Sequence, residues 1–177
     1  MVLPTLPALV NEFSIEASAV TVPPVSGTAP TLAELVDGVR RHYDDGCFAC
    51  GRANPFGLGI DNFEPLEGGV SAGFVPGPLH RGTFGVLHGG LAVTALDEIM
   101  AWAGIIQEGV LCVTANLRVR FRRPVPVEEP LQLRAWMGDR SGRRLPITGE
   151  LHTSSGVAVE ASGLYVVAHQ VVDLLQT

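Results

Sequence analysis

The chain has 177 residues, 46% of them hydrophobic, and a formal net charge of −6. That length suits one domain with a real core and is short for two. The acidic balance argues against a general nucleic-acid binder, and three cysteines do not make a disulfide framework, so a cytoplasmic setting is expected.

The N-terminus lacks a basic leader ahead of an apolar core, so no secretory signal is expected. Asp97 and Glu98 interrupt the longest apolar run, so no membrane span is expected either. All twelve basic residues are arginine. Arg118, Arg120, Arg122 and Arg123 form one cluster; Arg140, Arg143 and Arg144 form another.

Residues 1–30 hold Pro4, Pro7, Pro23, Pro24 and Pro30 and show no sustained period. With a short helix they make an irregular arm over residues 1–45. Thr31 and Glu34 match a capping box, which starts that helix. Leu32, Leu35, Val36 and Val39 share one face, and the helix should run to about His42. Cys47 and Cys50 then form a C-x-x-C pair. Zinc needs more ligands than this pair supplies, and His42 and His80 have no telling spacing. A redox pair needs a thioredoxin-like context that is absent. The preferred reading is a tight turn with small buried thiols, and no metal or other cofactor is expected.

A strand is predicted over Val70 to Val75, followed by a glycine- and proline-rich loop. His88-Gly89-Gly90 leads into a long run through Ala103, apolar on nearly every side, which predicts a buried central helix. Asp97 and Glu98 lie in its middle. A carboxylate placed in such a helix is costly unless paired, which marks it as functional. Glu98 points about 100° away and reads as a satisfied or exposed partner.

Val110 to Arg122 predicts a strand with strict alternation: Val113, Ala115, Leu117, Val119 and Phe121 toward the core, Thr114, Asn116 and the arginines on the other face. Leu131 to Met137, Leu145 to Thr153 and Val157 to Ala168 predict three more strands joined as a meander. Pro146 suggests an edge or a bulge at the start of its strand. Trp102 and Trp136 read as core or interface packing. The predicted class is α+β: a curled antiparallel sheet wrapped around one long central helix over residues 46–170, with a tail at 171–177.

Over residues 46–168 the sequence resembles the PaaI-like branch of the hotdog-fold thioesterases. The resemblance rests on His88-Gly89-Gly90, on Asp97 nine positions after the histidine, on Thr114-Ala115-Asn116 and on Arg123-Pro124-Val125. The Cys47-to-Gly51 turn with Asn54-Pro55 and Gly57-Leu58 looks like a lead-in found in one subgroup. The resemblance implies hydrolysis of an acyl-CoA thioester. Gly89 would be the oxyanion donor, Asp97 the nucleophile or general base and Thr114 the orienting hydroxyl.

His88 takes a positioning role. Gly90 allows close approach of the substrate, Asn116 touches the site or the dimer seam, and Arg123 is a candidate for the phosphates of CoA. The family often carries an Asn or Gln about six residues before the histidine; here Gly82 stands there, with His80 as a substitute if the loop folds back.

Gly90 and Asp97 are seven residues apart, about 10 Å along a helix at ~1.5 Å per residue. One side chain does not span that distance, so two antiparallel helices are needed. A homodimer with two composite sites is expected, and a dimer of dimers is a family expectation. The alternative function is a non-catalytic acyl-CoA-binding or sensing module on the same fold. A hydratase is a third reading, but that chemistry pairs a His with a carboxylate in another arrangement.

Overall fold

A computed structural model of the chain describes residues 31–42 and 45–171; residues 1–30 and 43–44 of the arm expected over 1–45, and 172–177 of the tail expected over 171–177, lie outside them. The elements in chain order are α1 (Leu32–His42), β1 (Glu64–Leu66), β2 (Gly69–Phe74), α2 (Gly89–Glu108), β3 (Val110–Phe121), β4 (Leu131–Met137), β5 (Arg144–Thr153) and β6 (Gly156–Gln170). All strand pairs are antiparallel, in the order β1-β2-β4-β5-β6-β3. The sheet curls around α2 in the hotdog arrangement. The predicted meander is β4-β5-β6. The three-residue β1 carries too short a pattern to be read from sequence.

α1 starts with the expected cap: Thr31 N–H donates to Glu34 Oε2 at 2.7 Å, and Glu34 N–H donates to Thr31 Oγ1 at 3.3 Å. Val39 buries its side chain, with Leu35 and Val36 packed beside it.

α2 is the core. Ala92, Ala95, Leu96, Ile99, Met100, Trp102, Ala103 and Ile105 are buried, and the helix packs against β2, β3, β4, β5 and β6. Trp102 stacks on Phe63 with ring centroids 4.0 Å apart. By length and apolarity alone this 20-residue helix would pass for a membrane span, contrary to the expectation that its two carboxylates disqualify it. The sheet wrapped around it accounts for the apolar surface instead.

Two strand expectations need correction. β5 is an interior strand, so Pro146 marks no edge. It sits just beyond the last β4 pair, Met137 with Ile147; the Gly138 N–H still donates to its carbonyl at 2.8 Å, but proline has no N–H to return and the ladder with β4 ends there. The alternation of β3 is also not strict. Register shifts occur between Leu111 and Cys112 and between Thr114 and Asn116, and Val113 and Phe121 are 58% and 52% exposed rather than in the core.

Candidate active site

The site begins in the loop before α2, which folds back on itself through two short turns, Pro78–His80 and Thr83–Gly85. Gly82 N–H donates to Val86 O at 2.7 Å and His88 N–H donates to His80 O at 2.9 Å. His80 uses Nδ1 to accept the Gly77 N–H at 3.0 Å. It therefore braces the loop and holds the backbone of His88. Gly82 passes so close to His88 that an added Cβ would stand 2.9 Å from its Cα. This contact explains why position 82 carries no side-chain amide.

His88 is the N-cap of α2. Its Nδ1 accepts the Gly90 N–H at 3.0 Å, and its carbonyl accepts the N–H groups of Leu91 and Ala92 at 2.9 and 3.1 Å. A helix leaves its first four N–H groups without intrahelical partners. Here the His88 N–H goes to His80 O, those of Gly90 and Leu91 go to His88 Nδ1 and O, and the Gly89 N–H has no partner among the described residues. Gly89 is exposed, with the Phe121 ring beside it, 3.5 Å from where a Cβ would lie. An N–H in this position, at the positive end of the helix dipole, suits an anionic oxygen. Gly90 is on the surface, but its N–H is already committed.

Two turns further along α2, Asp97 is held by one oxygen. Thr114 Oγ1 donates to Asp97 Oδ1 at 2.7 Å, and Tyr165 Oη donates to the same atom at 2.8 Å. Burial, and then the charge of Asp97, push the Tyr165 phenol above its ordinary range, so it keeps its proton and remains a donor. Asp97 Oδ2 has no partner among the described residues. Thr114 gives its proton to the carboxylate and keeps its lone pairs for a water.

The β3 bulge creates this contact. Thr114 pairs with Tyr165, whereas Asn116 pairs with Leu164. Residues directly opposite in an antiparallel pair lie on one face, so Thr114 and Asn116 lie on opposite faces. This corrects the expectation that they share one. The inserted residue, Ala115, turns Thr114 toward α2; Asn116 goes to the outer face with Arg118 and Arg120. Sequence reading also missed Tyr165. A hydroxyl within the apolar run of β6 was the only signal, and it gains meaning only from the register with β3.

Arg123 donates to Ser155 O at the β5–β6 turn. Arg122 pairs with Glu160 at 2.6 Å. Two members of the cluster considered for CoA phosphates are thus engaged within the fold.

Glu98 faces a different region from Asp97. Trp102 Nε1 donates to its Oε1 at 2.8 Å, and Cys47 Sγ lies 3.8 Å from its Oε2. It is a partly buried partner of the cysteine turn rather than an exposed residue. Burial pushes its carboxyl up to about 7. The neighbouring Cys50 thiol pulls Cys47 down to about 5 and is itself pushed up. A cavity of about 500 Å³ adjoins these groups, lined also by Val39, Trp102, Leu111 and Cys112.

A family model described as the thioesterase superfamily matches residues 84–160. The acyl-coenzyme A thioesterase THEM4 of Bos taurus is 30% identical over 95 residues, covering 52% of this chain and 38% of that protein. The chain thus spans well under half the length of this curated relative. A crystal structure of a thioesterase superfamily protein matches with a TM-score of 0.64 at 28% identity, covering 78% of this chain and 68% of the other. The E. coli PaaI protein from the phenylacetic acid degradation operon matches with a TM-score of 0.63, covering 78% of this chain and 96% of the other. At 18% identity, this last likeness bears on fold alone.

Proposed function

We propose that the chain is a PaaI-like hotdog-fold member of the thioesterase superfamily that hydrolyses an acyl-CoA thioester to a free acid and CoA; the thioesterase superfamily match over residues 84–160 and the thioesterase superfamily structure of the same fold support this. The observation that carries this reading is the Asp97 carboxylate, fixed through Oδ1 by Thr114 and Tyr165 with Oδ2 unpartnered among the described residues. A carboxylate oriented through one oxygen can use the other as base or nucleophile. The acyl-coenzyme A thioesterase among the relatives supports the choice of substrate.

In this mechanism the thioester carbonyl oxygen lies against the Gly89 N–H. Asp97 Oδ2 either takes a proton from an attacking water or adds to the carbonyl itself. Negative charge developing on the oxygen is stabilised by that N–H and the helix dipole. The C–S bond then breaks and CoA leaves as a thiolate. If Asp97 attacked directly, water hydrolyses the resulting anhydride.

The site is composite, with Gly89 of one subunit facing Asp97 and Thr114 of its partner. Three features support a dimer. The separation along α2 is about 10 Å at ~1.5 Å per residue, beyond the reach of one Asp. β3 is a long strand at the sheet edge, with unpaired backbone groups that invite another strand. Exposed apolar side chains, Val113, Phe121 and Phe84, flank that edge and the start of α2.

A thiol-release assay over short, long and aromatic acyl-CoAs tests the proposal. Turnover is expected with the wild type. Asp97→Asn should lower kcat by about 10²–10⁴-fold, the range for a positioned acid or base, with acyl-CoA binding retained. Tight binding of acyl-CoA by the wild type without turnover would overturn the proposal and favour the sensing module.

A further inference from the structure

The turn from Cys47 to Gly51 has features that the hydrolase reading does not use. One ligand atom from each of Cys47, Cys50 and Glu98 lies within 4.8 Å of the other two. Cys47 Sγ and Glu98 Oε2 are 3.8 Å apart, close to the span of two ligands on a tetrahedral ion with bonds of about 2.0–2.3 Å.

The turn is wound tightly. Gly51 N–H donates to Cys47 O at 2.9 Å, and a Cβ at Gly51 would stand 2.3 Å from Asp45 O and 2.5 Å from Cys47 N. This winding holds Cys47 and Cys50 on one short turn beside Glu98. No basic side chain lines the adjoining cavity among the described residues. A cation bound between the two sulfurs and the carboxylate would offset their charge in such a wall.

We infer that Cys47, Cys50 and Glu98 bind a zinc ion, with the fourth position open to the cavity for water or a small donor. Two soft sulfurs and one oxygen this close together suit zinc better than magnesium or calcium, which prefer oxygen ligands in larger shells. The ion clamps the cysteine turn to α2 beside Asp97, on another side of the helix. The third ligand was hidden from sequence because it comes from the central helix, which no Cys or His spacing marks. This inference is independent of the hydrolase reading.

The test uses the full chain, purified under reducing conditions. Elemental analysis after dialysis should find about one zinc per chain, and cobalt(II) exchanged into the protein should give thiolate-to-metal charge-transfer absorption with tetrahedral visible bands. Glu98→Gln, close in shape, should keep the charge-transfer band and weaken zinc binding at least tenfold. Cys50→Ser should reduce the band. If the cysteine variant fails to fold, the wild-type cobalt spectrum decides. Reduced wild-type protein that takes up neither zinc nor cobalt overturns the inference. So does metal uptake undiminished in the Glu98 and Cys50 variants, or a stable Cys47–Cys50 disulfide whose reduction restores no metal binding.

Discussion

Asp97 is oriented by two hydroxyl donors on one oxygen, and the two have different surroundings. Tyr165 is fully buried, whereas Thr114 is exposed. Hydrogen bonds to charged groups contribute about 1.5–3 kcal/mol, so removing one donor should cost about 10- to 100-fold in kcat. Tyr165→Phe should do this with little change in KM, since its hydroxyl meets Asp97 rather than substrate. Thr114→Ala should cost at least as much, because it also removes the lone pairs offered to water. Steady-state kinetics on one acyl-CoA would show both; a Tyr165→Phe enzyme with unchanged kcat would remove Tyr165 from the site. Asp97 was legible in the sequence because a carboxylate in an apolar helix is unusual; Thr114, a residue common in strands, was legible only through the family resemblance. Tyr165 was not, because its role depends on which residue of β3 it faces.

At the level of elements, the start of α2 depends on His88 as a cap. Replacing an N-cap side chain by one that cannot accept costs about 0.5–2 kcal/mol. His88→Ala should therefore lower thermal stability, while His88→Asn, which caps, should retain most stability and activity. A histidine acting as a base would not be replaced by Asn, so the activity of that variant discriminates the roles. Gly82→Ala should also destabilise, by about 1–3 kcal/mol as overpacking does, because the added carbon meets backbone rather than a movable side chain. Denaturant melts would measure both. Element boundaries followed closely from hydrophobic period and capping; the β3 bulge did not. An inserted residue leaves the composition of a strand unchanged and alters only its facing, which depends on the register with β6.

At the level of the whole molecule, the composite site makes a prediction that a single-chain site does not. Gly89→Pro removes the candidate oxyanion donor, and proline is well tolerated at the first helical position. This variant should lose about 10²-fold or more in kcat, as loss of one oxyanion donor does. Mixed and allowed to exchange subunits with Asp97→Asn, it should regain activity. Each mixed dimer then carries one site with both groups intact and one with neither. Kinetics before and after exchange would measure this; no recovery would place both groups in the same subunit.

The two edges of the sheet are unequal. β1 closes one side with three residues, whereas β3 presents twelve at the other. β3 is paired only with β6, the last of the six strands. As the chain leaves the ribosome, β3 therefore lacks its pairing strand until β6 has emerged, and pairing with a strand of another copy competes during that interval. Long-range pairing of this kind is slow and prone to misassembly. Yield on expression should then depend more on the rate at which residues 122–170 are supplied than on the stability of the finished fold.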